Sequence, residues 1–106
     1  MKESTLITKI LSALRSRGCK CIKVHGNQYT TVGTPDIFCC YQGRMLVLEV
    51  KRPGGEAPFY DHVETLKQHL ELMAWKQAGA QVGVVRSVAE AVKITLDFRS
   101  PGYRKH

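Results

Sequence analysis

Apolar residues recur every three or four positions in three segments of the chain, a spacing that is typical of amphipathic helices. The first segment predicts a helix from Glu3 to Arg17, and the second predicts one from about Asp61 to Ala78. The third opens with a capping box, Ser87-x-x-Glu90. The stripes that this spacing predicts to be buried are Leu6, Ile7, Ile10, Leu11 and Leu14 in the first helix, Val63, Leu66, Leu70, Met73 and Ala74 in the second, and Val88, Val92 and Leu96 in the third.

Shorter segments alternate between apolar and polar residues or are apolar throughout, as strands are. We predict strands over 19–25, 28–32, 36–41, 44–51 and 81–86. The strands over 36–41 and 44–51 are apolar on both faces, so they require cover on both sides of a sheet. With the short segment 28–32 left aside, the order α-β-β-β-α-β-α predicts an α/β fold with a mixed central β-sheet flanked by helices.

Length and composition limit what this fold can be. The 106 residues predict a single domain over 1–98 and a basic C-terminal tail over 99–106. The segment RPGGEAP at 52–58 is too rich in proline and glycine for regular structure. No apolar run approaches the roughly 20 residues that span a bilayer, and the first residues lack a signal-peptide core. We therefore expect a cytoplasmic protein with no membrane partner.

The chain is strongly basic. Sixteen Lys and Arg against nine Asp and Glu give a net charge of +7. Such a surplus suits a nucleic-acid partner, because each neutralised phosphate releases counterions, but many basic proteins have no such partner. Charge alone therefore leaves the question open.

Cysteines and histidines do not show the spacing of a metal site. The four cysteines lack the C-x-x-C pairs of zinc ligands, so we interpret them as reduced thiols that pack in the core. His62 and His69 are seven residues apart on the second helix, and we interpret them as surface residues because a zinc helix prefers a spacing of four. The cysteines are Cys19, Cys21, Cys39 and Cys40.

Three charged residues stand at the ends of the two most apolar strands. A two-residue hairpin loop at 42–43 would place Asp36 directly opposite Glu49 on one face, with Lys51 on that same face. A loop at 43–44 would keep all three on one face, whereas a three-residue loop would break the arrangement. Taken singly, E-x-K on a strand is usually an exposed ion pair, and P-D is a common turn element.

Together these charges indicate a specific chemistry. Two opposed carboxylates in an apolar sheet repel each other unless a cation lies between them. Hard oxygen ligands with positions left for water and phosphate suit Mg²⁺ or Mn²⁺. A neighbouring ammonium could activate a water and stabilise charge on a phosphoryl group. The pattern therefore predicts metal-dependent phosphodiester hydrolysis.

The motif Gly33-x-Pro35-Asp36, followed after twelve residues by Glu49-Val50-Lys51, resembles that of the PD-(D/E)XK nuclease superfamily. More narrowly, it is similar to the small stand-alone VRR-NUC type found in phages and bacteria, over about residues 3–88. The resemblance implies a restriction-endonuclease-like core. The V-R-R triplet of that family reads Val85-Arg86-Ser87 here, so its second arginine is missing.

The resemblance also implies roles for individual residues. Asp36, Glu49 and the backbone carbonyl of Val50 would bind Mg²⁺ or Mn²⁺, and Lys51 would act on the water or the scissile phosphate. A glutamate on the first helix of the family faces the metal, and Glu3 is the matching catalytic and metal-binding candidate. A glutamine on the helix after the motif lines the site, and the residue that matches it is Gln68.

Stand-alone members of this family are linked to branched DNA, particularly four-way (Holliday) junctions, and to homodimers. We therefore expect a metal-dependent DNA endonuclease, in a bacterial cell or a phage-infected host. Candidate phosphate contacts are Arg52, Lys23, His25 and Arg86, although solvated surface is the plainer interpretation. Three alternatives stay open: a non-catalytic basic nucleic-acid-binding domain, a nuclease that acts on flaps or ends, and a structural subunit of a larger assembly.

Overall fold

A computed structural model describes residues 1–27, 29–52 and 63–97 of the chain. The predicted tail, His62 and most of the RPGGEAP segment lie outside these ranges. The described residues form the predicted order of elements, α-β-β-β-α-β-α. Among the helices of the described ranges, none combines the length and the apolar character that a membrane crossing needs. The elements are α1 (Glu3–Ser16), β1 (Lys20–Lys23), β2 (Ile37–Tyr41), β3 (Arg44–Val50), α2 (Val63–Gln77), β4 (Gln81–Val85) and α3 (Val88–Leu96).

The four strands form one mixed sheet in the order β1-β2-β3-β4. β2 is antiparallel to both β1 and β3, whereas β4 is parallel to β3. Tyr41 pairs with Arg44, so the hairpin has the predicted two-residue loop. Its loop residues Gln42 and Gly43 both have positive φ, 49° and 78°, as a type I′ turn requires. The register on which the predicted site depends is therefore confirmed.

Alternate residues of the central strands point into two separate cores. On one side, Leu46, Leu48 and Val50 of β3 pack against the apolar stripe of α1 and against α3. On the other side, Val47 packs against Leu72 of α2. Both faces of the sheet are thus covered, as the apolar strands predicted. Glu49 and Lys51 belong by their spacing to the face that α2 covers.

The predicted short strand over 28–32 is wrong. Described residues 29–32 form turns, because the Asn27 side chain accepts a hydrogen bond from the Tyr29 N–H at 2.7 Å. The Thr30 N–H donates to the Asn27 carbonyl at 3.0 Å and completes the turn. Three β-branched residues at 30–32 favour a strand, but local side-chain hydrogen bonds of this kind compete with strand pairing.

The predicted buried stripe of α2 is also wrong. Leu72 is the buried leucine of this helix, at 4% exposure, whereas Leu70 is 57% exposed and Leu66 and Met73 are exposed too. The helix turns a partly polar side toward the sheet, because the sheet there carries Glu49 and Lys51. Apolar spacing alone therefore selects the wrong face of α2.

The stripe of α3 is shifted as well. The predicted core residue Leu96 is 61% exposed, while Thr95 beside it is buried. Arg17 explains this, since its Nε donates to the Thr95 hydroxyl at 2.7 Å across the α1–α3 contact. The predicted capping box is confirmed in the Ser87 side chain, which accepts from the Glu90 N–H at 3.0 Å.

The prediction that all four cysteines pack in the core is correct for three of them. Cys19, Cys21 and Cys39 are buried free thiols, and Cys40 is exposed. Cys39 and Cys40 are adjacent on β2, so their side chains point to opposite faces of the sheet. Burial raises the pKa of the Cys19 and Cys39 thiols, which keeps both protonated at neutral pH.

A pair of leucine substitutions tests which helix faces are buried. Leu72→Ala is expected to lower the free energy of unfolding by about 2–5 kcal/mol, because it leaves a cavity between α2 and β3. Leu96→Ala, at an exposed position that the sequence pattern places in the core, is expected to cost less than about 1 kcal/mol. Urea denaturation of both variants measures the difference. Equal losses would show that the described faces of α2 and α3 are incorrect.

Candidate active site

The candidate site lies at the end of the sheet where β1, β3 and β4 finish and β2 begins. Asp36 immediately precedes β2, and Lys51 immediately follows β3. From α2, Gln68 reaches the same place through its hydrogen bond to Lys51. Residues that are distant in sequence thus converge because the strands share one end.

Asp36 is fixed by the backbone of β3. Its N–H donates to the Leu48 carbonyl at 3.0 Å, and its Oδ2 accepts from the Val50 N–H at 2.7 Å. Ile37 is paired with Leu48 as well, so two residues oppose one residue, which is the pattern of a β-bulge. An ideal ladder predicted that Asp36 stands directly opposite Glu49. The bulge moves Asp36 out of that position. The bulge instead directs its carboxylate toward Val50.

The Val50 carbonyl faces the same region as Asp36. In an extended strand the N–H and C=O of one residue point to the same side, and the Val50 N–H points to the Asp36 carboxylate. The next residue points the other way, since the Lys51 N–H donates to the Val85 carbonyl of β4 at 2.9 Å. The predicted backbone ligand is thus on the side of β3 that faces the Asp36 carboxylate.

Glu49 is a carboxyl group buried under α2. Burial first, and then the neighbouring charges of Asp36 and Glu3, raise its pKa to about 8, although Lys51 opposes the shift. Burial also raises the pKa of Asp36, against the hydrogen bond from Val50 and the charges of Lys51 and Lys23. The two carboxyl groups contact each other and do not both ionise readily. Most of the upward pKa shift falls on Glu49, because Glu49 is the more deeply buried of the two.

Lys51 is held between two partners. Its Nζ donates to Gln68 Oε1 at 2.7 Å and lies 3.5 Å from Glu49 Oε2. Its side chain keeps 25% of its surface exposed, against 7% for Glu49. The ammonium is therefore oriented by the protein on one side and open to solvent on the other.

Two residues in the site were missed by the sequence analysis. Thr65 and His69 line a small cavity of about 60 Å³ together with Glu49, Lys51 and Gln68. The interpretation of His69 as a surface residue is therefore wrong, since it is half-buried. The predicted site residue Gln68 could have indicated Thr65 and His69, because residues at 65, 68, 69 and 72 share one face of a helix.

Glu3 lies at the edge of the site. It begins α1, its side chain is exposed, and its charge acts on the pKa of Glu49. Over the described ranges, no three His, Cys, Asp or Glu side chains come close enough to one another to hold a metal ion. A direct contact of Glu3 with a metal therefore stays a prediction.

Basic residues surround this end of the sheet. Lys23 ends β1 and acts electrostatically on Asp36. Arg52 follows Lys51, and its carbonyl accepts a hydrogen bond from the Arg86 guanidinium at 3.3 Å. His25 is exposed beyond β1. All four predicted phosphate contacts thus lie at the same end of the sheet as the carboxylates.

A second, polar cleft of about 300 Å³ opens beside the carboxylates. Residues of the loop at 24–27 and 30–34 line it together with Asp36 and with Gln68 of α2. Its loop wall carries neutral hydroxyl and amide groups, which can hydrogen-bond a sugar or a base.

The donor set suits a hard divalent cation. Asp36, Glu49 and the Val50 carbonyl offer oxygen ligands, and Mg²⁺ usually takes one or two protein carboxylates and completes its shell with water or phosphate. The raised pKa of Glu49 supports this fit, since a bound cation would favour the ionised carboxylate that burial and the charge of Asp36 oppose.

Comparisons with known proteins identify the fold. Neither the protein-family models nor the curated proteins compared with this sequence contain a match. Among solved structures, a VRR_NUC domain superposes with a TM-score of 0.63 at 19% identity, covering 92% of this chain and 97% of that one. Hjc, a Holliday junction resolvase from the archaeal hyperthermophile Archaeoglobus fulgidus, superposes with a TM-score of 0.59 at 23% identity. This match covers 79% of this chain and 67% of that one. The predicted restriction-endonuclease-like fold and the resemblance to VRR-NUC domains are thereby confirmed at the level of the fold.

Proposed function

We propose that this chain is a divalent-cation-dependent deoxyribonuclease that hydrolyses phosphodiester bonds in branched DNA such as four-way junctions. The observation that carries the proposal is the buried Glu49 carboxyl, which lies against Asp36 and 3.5 Å from the Lys51 ammonium. A buried acid pair destabilises a fold, so its presence at an open end of the sheet indicates a function. The fold shared with a VRR_NUC domain and with a Holliday junction resolvase supports the choice of substrate.

Mg²⁺ or Mn²⁺ would be held by Asp36, Glu49 and the Val50 carbonyl. When bound there, the cation supplies Lewis-acid stabilisation of the scissile phosphate and lowers the pKa of a nearby water. Asp36 is positioned for this role, because the hydrogen bond from the Val50 N–H fixes its Oδ2 and its side chain also contacts Glu49. Glu49 takes part once its proton has been released.

Lys51 would stabilise the transition state. Its ammonium has three N–H donors, of which one is bound to Gln68 and one faces Glu49. The third can reach a phosphate oxygen on the exposed side. In hydrolysis the water gives up a proton as its oxygen bonds to phosphorus, the bond to the leaving oxygen breaks, and that oxygen takes up a proton. Negative charge grows on the phosphoryl oxygens during this step, and a preorganised cation stabilises it.

DNA would be bound mainly through its phosphates. Lys23, Arg52 and Arg86 surround the site, and the whole chain carries a net charge of +7. Such contacts fix position without reading sequence, so selection by DNA shape is favoured over selection by base sequence.

A panel of substrates tests the proposed function. Labelled four-way junctions, flaps and linear duplexes of matched sequence are incubated with Mg²⁺, Mn²⁺ or EDTA. We expect metal-dependent paired cuts in the junction and at least about tenfold slower cutting of the linear duplex. Preferred cutting of flaps or ends would contradict junction selectivity, and salt-sensitive binding without any cleavage would favour a binding domain instead.

A homodimer is the assembly that we propose, because paired cuts in a two-fold symmetric junction need two sites. The exposed apolar stripe of α2, Leu66, Leu70 and Met73, supports an interface on that helix, since these positions share one face. Leu70→Glu is expected to convert the dimer to a monomer in sedimentation velocity, whereas Leu96→Glu leaves it dimeric. A wild-type chain that stays monomeric at roughly 50 μM, far above the Kd expected of a stable dimer, would contradict this assembly.

A further inference from the structure

Gly33 is the point at which the loop that leads to Asp36 touches the helix that carries Gln68. Its φ is +87°, a conformation that glycine adopts far more easily than other residues. A Cβ added there would lie 2.7 Å from both the C and the O atoms of Lys67 and 3.0 Å from the N of Gln68. These atoms form one backbone peptide group of α2, so no rotation of a side chain can relieve the contact.

That peptide group leads directly to the contact that holds Lys51. Gln68, whose backbone N is part of the group, accepts the hydrogen bond from Lys51 Nζ at 2.7 Å. On the loop side, Gly33 is three residues before Asp36, and the intervening Pro35 is fully buried. Gly33, Asp36 and Gln68 also line the same polar cleft. The separation of the loop and the helix at Gly33 therefore sets the separation of the groups on either side of the site.

We infer that Gly33 is a positioning residue of the active site. Because it has no side chain, the loop backbone lies directly on α2 and holds Gln68 within hydrogen-bond distance of Lys51. This fixes the Lys51 ammonium beside Glu49. The catalytic consequence rests on the proposed nuclease function, whereas the effect on the Lys51–Gln68 hydrogen bond does not.

The chain offers a matched control in Gly18. Its φ is +95°, so alanine is strained there too, but no heavy atom lies within 4 Å of an added Cβ. Gly33→Ala and Gly18→Ala thus share the backbone strain, and Gly33→Ala alone meets the helix. Gly33→Ala is expected to lower kcat for junction cleavage about 10- to 100-fold with KM within about twofold, because a displaced catalytic group loses rate more than binding. Gly18→Ala is expected to keep kcat within about twofold of wild type.

Two further measurements separate positioning from general damage. In a Gln68→Ala background, Gly33→Ala is expected to lower kcat by less than about twofold, since both changes act through one hydrogen bond. In the metal-free, DNA-free protein, Gly33→Ala is expected to shift the NMR resonances of the Gln68 side-chain amide, whereas Gly18→Ala leaves them unchanged. If the wild-type protein proves to have no nuclease activity and Gly33→Ala still shifts these resonances, the positioning role is supported and only the proposed function is overturned.

If Gly33→Ala fails to fold, Gly33→Asn is compared with Gly18→Asn, because asparagine tolerates positive φ and still carries a Cβ. Equal losses of kcat at both glycines, unchanged Gln68 resonances in a folded Gly33 variant, or an undiminished effect in the Gln68→Ala background would each overturn the inference.

Discussion

Replacing Lys51 with alanine is expected to lower the rate of DNA cleavage by about 10³-fold or more, with DNA binding within about threefold of wild type. A fixed donor that stabilises developing negative charge is commonly worth 10²–10³ in rate. Lys51 has the further effect of holding its charge 3.5 Å from Glu49, where it favours the ionised form that a cation needs. The loss should therefore lie in kcat. Single-turnover cleavage of a labelled junction, at saturating protein, measures it.

Lys93 provides the control for this substitution. It is an exposed lysine of α3 that lies outside the site. Its Nζ forms an ion pair with Asp97 Oδ2 at 2.8 Å. Lys93→Ala removes the same charge from the protein and is expected to change cleavage by less than about threefold, since a surface ion pair contributes little. Circular dichroism shows that both variants are folded. A Lys51→Ala protein that cleaves like Lys93→Ala would remove Lys51 from the mechanism.

Replacing Glu49 with glutamine is expected to abolish cleavage and, in EDTA at pH 8.5, to stabilise the fold. The gain in the free energy of unfolding should be about 1–3 kcal/mol, because burial and the charge of Asp36 oppose the ionised Glu49 carboxylate. Thermal unfolding of both proteins should differ by roughly 5–15 °C in midpoint. A substitution that removes activity and raises stability is the behaviour expected of a group retained for function.

The effect of Glu49→Gln depends on pH in a defined direction. The folded-state pKa of Glu49, about 8, lies above its ordinary value of 4.5. Between these values the folded protein keeps a proton that the unfolded chain has lost, so wild-type stability falls as pH rises through this window. The advantage of Glu49→Gln should therefore be small at pH 4.5 and complete above pH 8.

Divalent cations should stabilise the wild type but not Glu49→Gln, and so reduce or reverse the difference in stability between the two proteins. Adding Mn²⁺ is expected to raise the unfolding midpoint of the wild type and to leave that of Glu49→Gln nearly unchanged, since a ligand stabilises only the state that binds it. Glu71→Gln, which alters a carboxylate on α2 outside the described site, serves as the control and should respond to Mn²⁺ like the wild type. Equal stabilisation of the Glu49→Gln protein would contradict a cation site at this residue.

The part of the site that the sequence predicted is the part fixed by local geometry. The loop at 42–43 sets the register of β2 and β3, so counting residues along one hairpin placed Asp36 at the same end of the sheet as Glu49 and Lys51. Gln68 was reached differently, through a family resemblance. The structure brings it to Lys51 because α2 packs over that face of the sheet.

The parts of the site that were wrong depend on contacts between distant segments. The bulge at Asp36 places Asp36 and Ile37 opposite Leu48, because the Asp36 N–H donates to the Leu48 carbonyl, and no residue spacing records this choice. Likewise, α2 turns Thr65 and His69 inward and Leu70 outward, against its apolar pattern. Helical periodicity assumes that the buried face is apolar, and this fails where a helix covers a polar site.

Cleavage of one labelled four-way junction by wild type and by Asp36→Asn, each in Mg²⁺ and in EDTA, decides whether this end of the sheet is a metal-dependent active site. Asp36→Asn keeps the shape of the side chain and an oxygen that can accept from the Val50 N–H, and it removes the charge that a cation needs. We expect paired cuts by the wild type in Mg²⁺ but not in EDTA, and a loss of about 10³-fold or more in the folded variant. Cleavage that persists in EDTA, or in Asp36→Asn at the wild-type rate, would contradict a metal-dependent site at this end of the sheet.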